Sequence, residues 1–137
     1  MDAPLANKTI ISTWATGWAA SAAAAVPFVL DNEVDSETAT GWVRVVTRER
    51  SARQETIGRN RRNVRRDGTI YIQCFSPVAG GAAAGLELAR IARSIIEGVT
   101  VDGVRMLVGS VRPADNDGKW WNVTVEVPFW YREALTT

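Results

Sequence analysis

Apolar positions along this chain follow two different periods. Between Asn7 and Ala25, Ile10, Ile11, Trp14 and Trp18 fall at spacings of three and four, which predicts a helix. Asn7 is a fair N-cap, and Pro27 supplies the stop, because proline disfavours helical geometry in the residue before it. A second helix is predicted over Ala82–Glu97. Leu86, Ala89, Ile91, Ala92, Ile95 and Ile96 form its apolar stripe, Glu87, Arg90, Arg93 and Glu97 lie mostly off it, and Gly98 is a suitable terminator.

Elsewhere the pattern is that of strands. Trp42–Thr47 carries Val43, Val45 and Val46, and Gln54, Thr56 and Ile57 suggest a strand lying opposite it. Gly58–Asn63 reads as turn-like and Asp67-Gly68 as a tight turn, followed by a strand over Thr69–Phe75. Val99–Val111 reads as a strand bent at Asp102-Gly103, and Pro113–Gly118 as a loop. Trp120–Tyr131 closes the sheet, with Trp121, Val123, Val125, Val127 and Phe129 on one parity and Asn122, Thr124 and Glu126 on the other. The order predicts one α+β domain over residues 1–137. Its sheet is expected to be mainly antiparallel, with about four to five strands and the helices packed on one face.

Composition narrows the chemistry. There is no histidine, which removes the commonest general base and metal ligand, and the carboxylates are scattered. No catalytic set, metal site or cofactor is therefore expected. Gly80 to Gly85 precedes a helix but lacks the Gly-Lys-Ser/Thr ending of a P-loop. The N-terminus has no basic opening of a signal peptide, and Trp14–Leu30 is too polar and short to span a bilayer. Cys74, the single cysteine, is expected as a buried thiol.

Charge changes the picture more. Between Arg44 and Arg66 nine arginines face only Glu49 and Glu55, a net +7 in a chain whose total is +1. Three readings compete for Arg48, Arg50, Arg53, Arg59, Arg61, Arg62, Arg65 and Arg66: a solvated basic loop, contact with nucleic-acid phosphates, or pairing with an acidic surface on a neighbouring copy. Asp31, Glu33, Asp35 and Glu37 are the obvious acidic partners. Six tryptophans are many for 137 residues, and Trp42, Trp120 and Trp130 are candidate interface aromatics.

Several stretches, taken in order, carry a resemblance. They are Val26-Pro27-Phe28 with Asn32-Glu33; Gly41-Trp42-Val43-Arg44-Val45; Gln54-Glu55-Thr56-Ile57-Gly58; the run from Arg66-Asp67-Gly68 through Phe75 with Pro77 and Gly80-Gly81; the amphipathic second helix; and the closing Trp121–Tyr131 segment. Together they resemble the tail-terminator-like proteins of long-tailed bacteriophages. The resemblance implies a structural protein that forms a ring, typically a hexamer, on the last ring of the tail tube. Such a ring halts tube growth and presents a surface to the head-proximal connector. Its partners would be copies of itself, the tube protein, the connector and, in passage, genomic DNA, with no membrane. Its place would be the virion tail, after assembly in the host cytoplasm. A different neck subunit and a small nucleic-acid-binding protein are the competing readings.

Overall fold

The computed structural model describes residues 2–30, 41–55, 61–112 and 114–136. The elements run α1 (Ala3–Ala19), β1 (Phe28–Leu30), β2 (Trp42–Gln54), β3 (Arg61–Pro77), α2 (Ala83–Ile96), β4 (Thr100–Val101), β5 (Val104–Met106), β6 (Ser110–Val111), β7 (Asp115–Asn116) and β8 (Trp120–Thr136). The class is α+β. The sheet is larger than the pattern predicts, with eight strands among the described residues rather than four or five. It is also mixed, because β1 runs parallel to β2 while the other pairings are antiparallel. The main path is β1-β2-β3-β8-β5-β4, with β6 and β7 also on β8.

The extra strands are short, and a two- or three-residue run is too brief to show alternation. Helix α1 also starts earlier than predicted. The Asp2 carboxylate accepts from the Leu5 amide at 3.0 Å and caps the helix, with Pro4 in the first turn, where it costs no hydrogen bond. Asn7 instead lies inside the helix, and its side-chain oxygen accepts from the Thr47 hydroxyl at 2.7 Å. The helix ends at Ala19, well before Pro27. The Trp18 indole donates to the Val26 carbonyl at 2.9 Å and so directs the returning chain into β1.

One core joins both helices to one face of the sheet. It contains Trp14 and Trp18, stacked with centroids 4.9 Å apart. Leu88, Ala89, Ala92 and Ile96 come from α2, and Val43, Val45, Ile70, Ile72, Cys74, Val123, Val125 and Val127 from the sheet. Each buried Val, Ile or Leu contributes about 1.5–3 kcal/mol. Leu86 departs from its predicted place in the stripe and is exposed. Gly85 does what a small residue in a strand-to-helix connection should. A Cβ there would lie 3.1 Å from the Ser76 hydroxyl and 3.2 Å from Val123, so α2 lies close on the sheet. At the other end of α2, Glu97 accepts from Arg93 at 3.0 Å and from the Gly109 amide at 3.1 Å. Both donors hold its carboxyl below the usual range, and Gly98 takes the left-handed turn at φ +72°.

The predicted turn at Asp67-Gly68 is absent. Both residues sit inside β3, which runs unbroken for 17 residues and also absorbs residues 61–63 of the expected basic turn. Gly68 serves close packing there. Its register partner on β8 is Phe129, and a Cβ on Gly68 would come within 2.5 Å of both the Phe129 ring and the Arg48 carbonyl. Thr56 and Ile57 lie outside the described residues, and Gln54 belongs to β2 itself rather than to an opposing strand. The bend at Asp102-Gly103 is a hairpin turn between β4 and β5, with both residues at positive φ. No helix among the described residues is long and apolar enough to cross a membrane.

Gly68→Ala should destabilise the fold by about 1–3 kcal/mol, because neither the Arg48 backbone nor the packed ring can give way cheaply; an unchanged denaturation midpoint would show the space to be open. Cys74 is fully buried, and burial pushes its thiol up to about 12. Ellman's reagent should therefore leave the native thiol untouched and react only on unfolding. A raised folded pKa gives stability that is complete below the unfolded value and lost as pH climbs through the folded one. Stability should fall as pH rises from about 9 towards 12, and Cys74→Val should lessen that fall.

Candidate functional site

Strand alternation decides which side chains share a face. On β3 the even residues Ile70, Ile72 and Cys74 point to the helices, and on β8 the odd residues Val123, Val125, Val127 and Phe129 do. Arg65 and Asp67 therefore occupy the helix-free face, together with Trp130 and Arg132. On β2 the core residues are Val43 and Val45, so strict alternation would aim Arg53 at the helix side. A β-bulge between Glu49 and Ser51 prevents this. Its extra residue, Arg50, shifts the parity, and Ser51 and Arg53 join the helix-free face.

Two register rows result. Ser51, Asp67, Trp130 and Arg105 form one, and Arg53, Arg65 and Arg132 form the next. Beyond Thr47 every residue of β2 to Gln54 is exposed, so this end of β2, β3 and β8 forms an arm outside the main core. Among the described residues, no strand pairs with the outer edge of β2 beyond Val45 or of β8 beyond Trp130.

Trp130 organises the arm's helix-free face. The guanidinium carbons of Arg65, Arg105 and Arg132 lie 4.3, 4.7 and 4.8 Å from its ring centroid. Each such contact contributes about 0.5–1 kcal/mol at an exposed site. Two carboxylates answer these charges. Asp67 accepts from Arg65 at 3.1 Å, and Glu55 accepts from Arg132 at 2.7 Å. The Arg132 hydrogen bond is the main reason the Glu55 carboxyl is held below its ordinary range, with the charges of Arg132, Arg53 and Arg65 assisting. Beside this group lies a cleft of about 470 Å³, lined by Arg50, Arg53, Arg65 and Asp67 with Leu107 and Pro128. Arg50 donates to the Thr69 hydroxyl at 3.5 Å.

The arm's other face is better neutralised. Arg66 pairs with Glu133 at 3.1 Å, and the Tyr131 hydroxyl donates to Glu49. Burial, then the Glu49 bond, drives the phenol's pKa upward. Arg62 lies in β3 opposite Leu135, half-buried.

The candidate residues therefore separate. Arg50, Arg53 and Arg65 come together around one cleft, Arg62 and Arg66 lie on the opposite face, and Arg48 is exposed near the bulge. Arg61 opens β3, whereas Arg59 and the acidic set Asp31, Glu33, Asp35 and Glu37 lie outside the described residues. Trp42 and Trp120 are covered by the chain itself, in a small cluster with Val29 and Phe75. Trp42 stacks on Phe75 with centroids 4.1 Å apart. Trp130 is the one of the three still partly exposed. Sequence reasoning missed Arg105 and Arg132, which sit far from the Arg-rich segment and reach Trp130 only through strand pairing. It did not foresee Asp67 in that constellation either, having placed it in a turn.

No family model matches this chain, and no curated protein matches it. Solved structures do match. One of them, whose designation says nothing of its activity, superposes with a TM-score of 0.71 at 13% identity over 96% of each chain. At that identity the likeness concerns the fold alone.

Proposed function

We propose that this chain is a non-enzymatic assembly protein of a tailed bacteriophage. It forms a ring at the head-proximal end of the tail tube, stops tube polymerisation and provides the surface for joining the head. The ring is hexameric, as in the tail-terminator-like proteins that the sequence resembles. The partners are copies of itself, the tube protein and the connector, and genomic DNA passes through the centre. The protein acts in the virion tail and is built into it in the host cytoplasm.

The observation that carries this reading is the arm. Its strands are paired to each other but leave both outer edges without a strand partner among the described residues, and its faces are studded with arginine. Unpaired strand edges invite association, and monomeric proteins usually blunt or cover them. A closed ring satisfies such head-to-tail contacts without open-ended growth. The charge distribution fits the same scheme. The +7 segment lies in a chain whose remaining residues sum to −6, so one copy's arm can meet another copy's acidic surface.

Tails assembled without this chain should carry tubes of uncontrolled length in electron micrographs; tubes of normal length joined to heads would sink the reading. Arg62 has no ion-pair partner among the described residues, which makes it available to a neighbouring copy. Arg62→Glu should lower the mass of the oligomer in solution while leaving the melting temperature within a few degrees. An unchanged oligomer would remove Arg62 from the junction.

A further inference from the structure

We propose that the helix-free face of the arm, over the cleft of Arg50, Arg53 and Arg65, binds the phosphate backbone of double-stranded DNA. The inference deepens the ring reading by assigning the surface that meets the DNA, and it rests on that reading for the choice of DNA as the polyanion.

Three features carry it. The first is the row Arg53–Arg65–Arg132, in which three guanidinium side chains stand on adjacent strands about 4.8 Å apart. Like charges directly opposite one another in a sheet are destabilising. With Arg50 and Arg105, five arginines share this surface with Asp67 and Glu55, so its described residues carry net positive charge. The second is availability. Among the described residues Arg53 has no carboxylate within ion-pair distance, and Arg50 has only a long hydrogen bond to a hydroxyl. Both open onto the 470 Å³ cleft. The third is preorganisation. Trp130 holds Arg65, Arg105 and Arg132 against its ring, which reduces the rotamer freedom that binding must otherwise remove.

The same geometry selects the kind of polyanion. Single-stranded nucleic acid is held by bases stacking on open aromatic rings. Here the Trp130 ring is occupied by guanidinium groups, and Trp42 and Trp120 are buried. A protein partner would be met by an interface core depleted of charge. This cleft is lined chiefly by charged and polar groups, the character of a surface that meets DNA. Guanidinium groups spread over a sheet face suit phosphate oxygens, which carry no base identity, so recognition is of the backbone and independent of sequence.

The test is fluorescence anisotropy of a labelled 20-base-pair duplex with the full chain, with solution mass measured on the same samples. With roughly four phosphates neutralised, affinity should fall about 100-fold between 50 and 200 mM salt. Two duplexes of unrelated sequence should bind alike. The double variant Arg50→Ala/Arg53→Ala should lower the salt slope by about two. Arg90→Ala, which removes an exposed charge from α2 on the other side of the sheet, should leave the slope unchanged. No binding at 50 mM salt, or a double variant indistinguishable from the parent, would overturn the proposal. Displacement of the duplex by polyglutamate at equal charge concentration would do the same, and would assign the face to an acidic protein. A ring that fails to bind DNA would sink this inference alone. A monomer that binds DNA through these arginines would uphold the surface assignment and remove the ring.

Discussion

One extra residue in β2 governs which way the basic segment faces. A regular strand places successive side chains on opposite faces, so the direction of each residue follows from those before it until a bulge intervenes. Val43 and Val45 fix the first half of β2 against the helices. The bulge at Arg50 then reverses the assignment, and Ser51 and Arg53 emerge opposite Asp67 and Arg65. Without it, Arg53 would point to the face where Arg66, Glu133, Glu49 and Tyr131 already make a connected set. Gly68 and Phe129 belong to the same arrangement. Gly68 is the register partner of Glu49, immediately before the bulge, and its missing side chain leaves the room that the Phe129 ring fills.

The two ends of the sheet are held by different forces. Around Ile70, Val125 and Trp14 the structure rests on apolar burial, which is strong and is not screened by salt. In the arm the main apolar anchors are Val64, Tyr131 and Phe129, and the rest is backbone ladder, cation–π contact and ion pairs on a largely exposed surface. Exposed ion pairs contribute about 0–1 kcal/mol each and weaken with salt. The arm therefore has the lower local stability, and contact with an anionic surface would add to it what the core supplies elsewhere.

Much of the core was legible from the chain. The alternation of Val123, Val125, Val127 and Phe129 gave the inward face of β8, and the α2 stripe gave its helix to within a residue of each end. Gly98 was readable as a stop because a glycine after an apolar stripe has one usual role there. Asp67-Gly68 misled for a related reason. The dipeptide is a good turn former locally, but tertiary pairing with β2 and β8 along the whole of β3 outweighed that preference. A glycine needed for close approach looks the same in sequence as one needed for a turn. The Arg-rich segment was visible as charge but not as geometry, since its organisation depends on a bulge and on Trp130, Arg105 and Arg132 from distant parts of the chain. Trp42 and Trp120 could not be separated from Trp130 by residue type, because only register shows that Phe75 and Val29 cover the first two.

The division of the arm into two faces bears on how a ring could accept DNA without gripping it. A surface holding every arginine uncompensated would bind phosphates tightly and resist their movement. Here Arg66 on one face is committed to Glu133, while on the helix-free face Arg65 and Arg132 are partly answered by Asp67 and Glu55, which leaves Arg50 and Arg53 without an ion-pair partner among the described residues of that face. Repeated around a closed ring, a few weak, sequence-independent contacts per subunit can be made and broken one at a time as a duplex advances. Copies whose arms each carry excess positive charge also repel one another, so their approach requires either acidic surface from a neighbour or phosphate in the centre. On the proposed reading, the strand-pairing geometry that aligns the arginines also makes assembly and DNA contact respond to the same counter-charge.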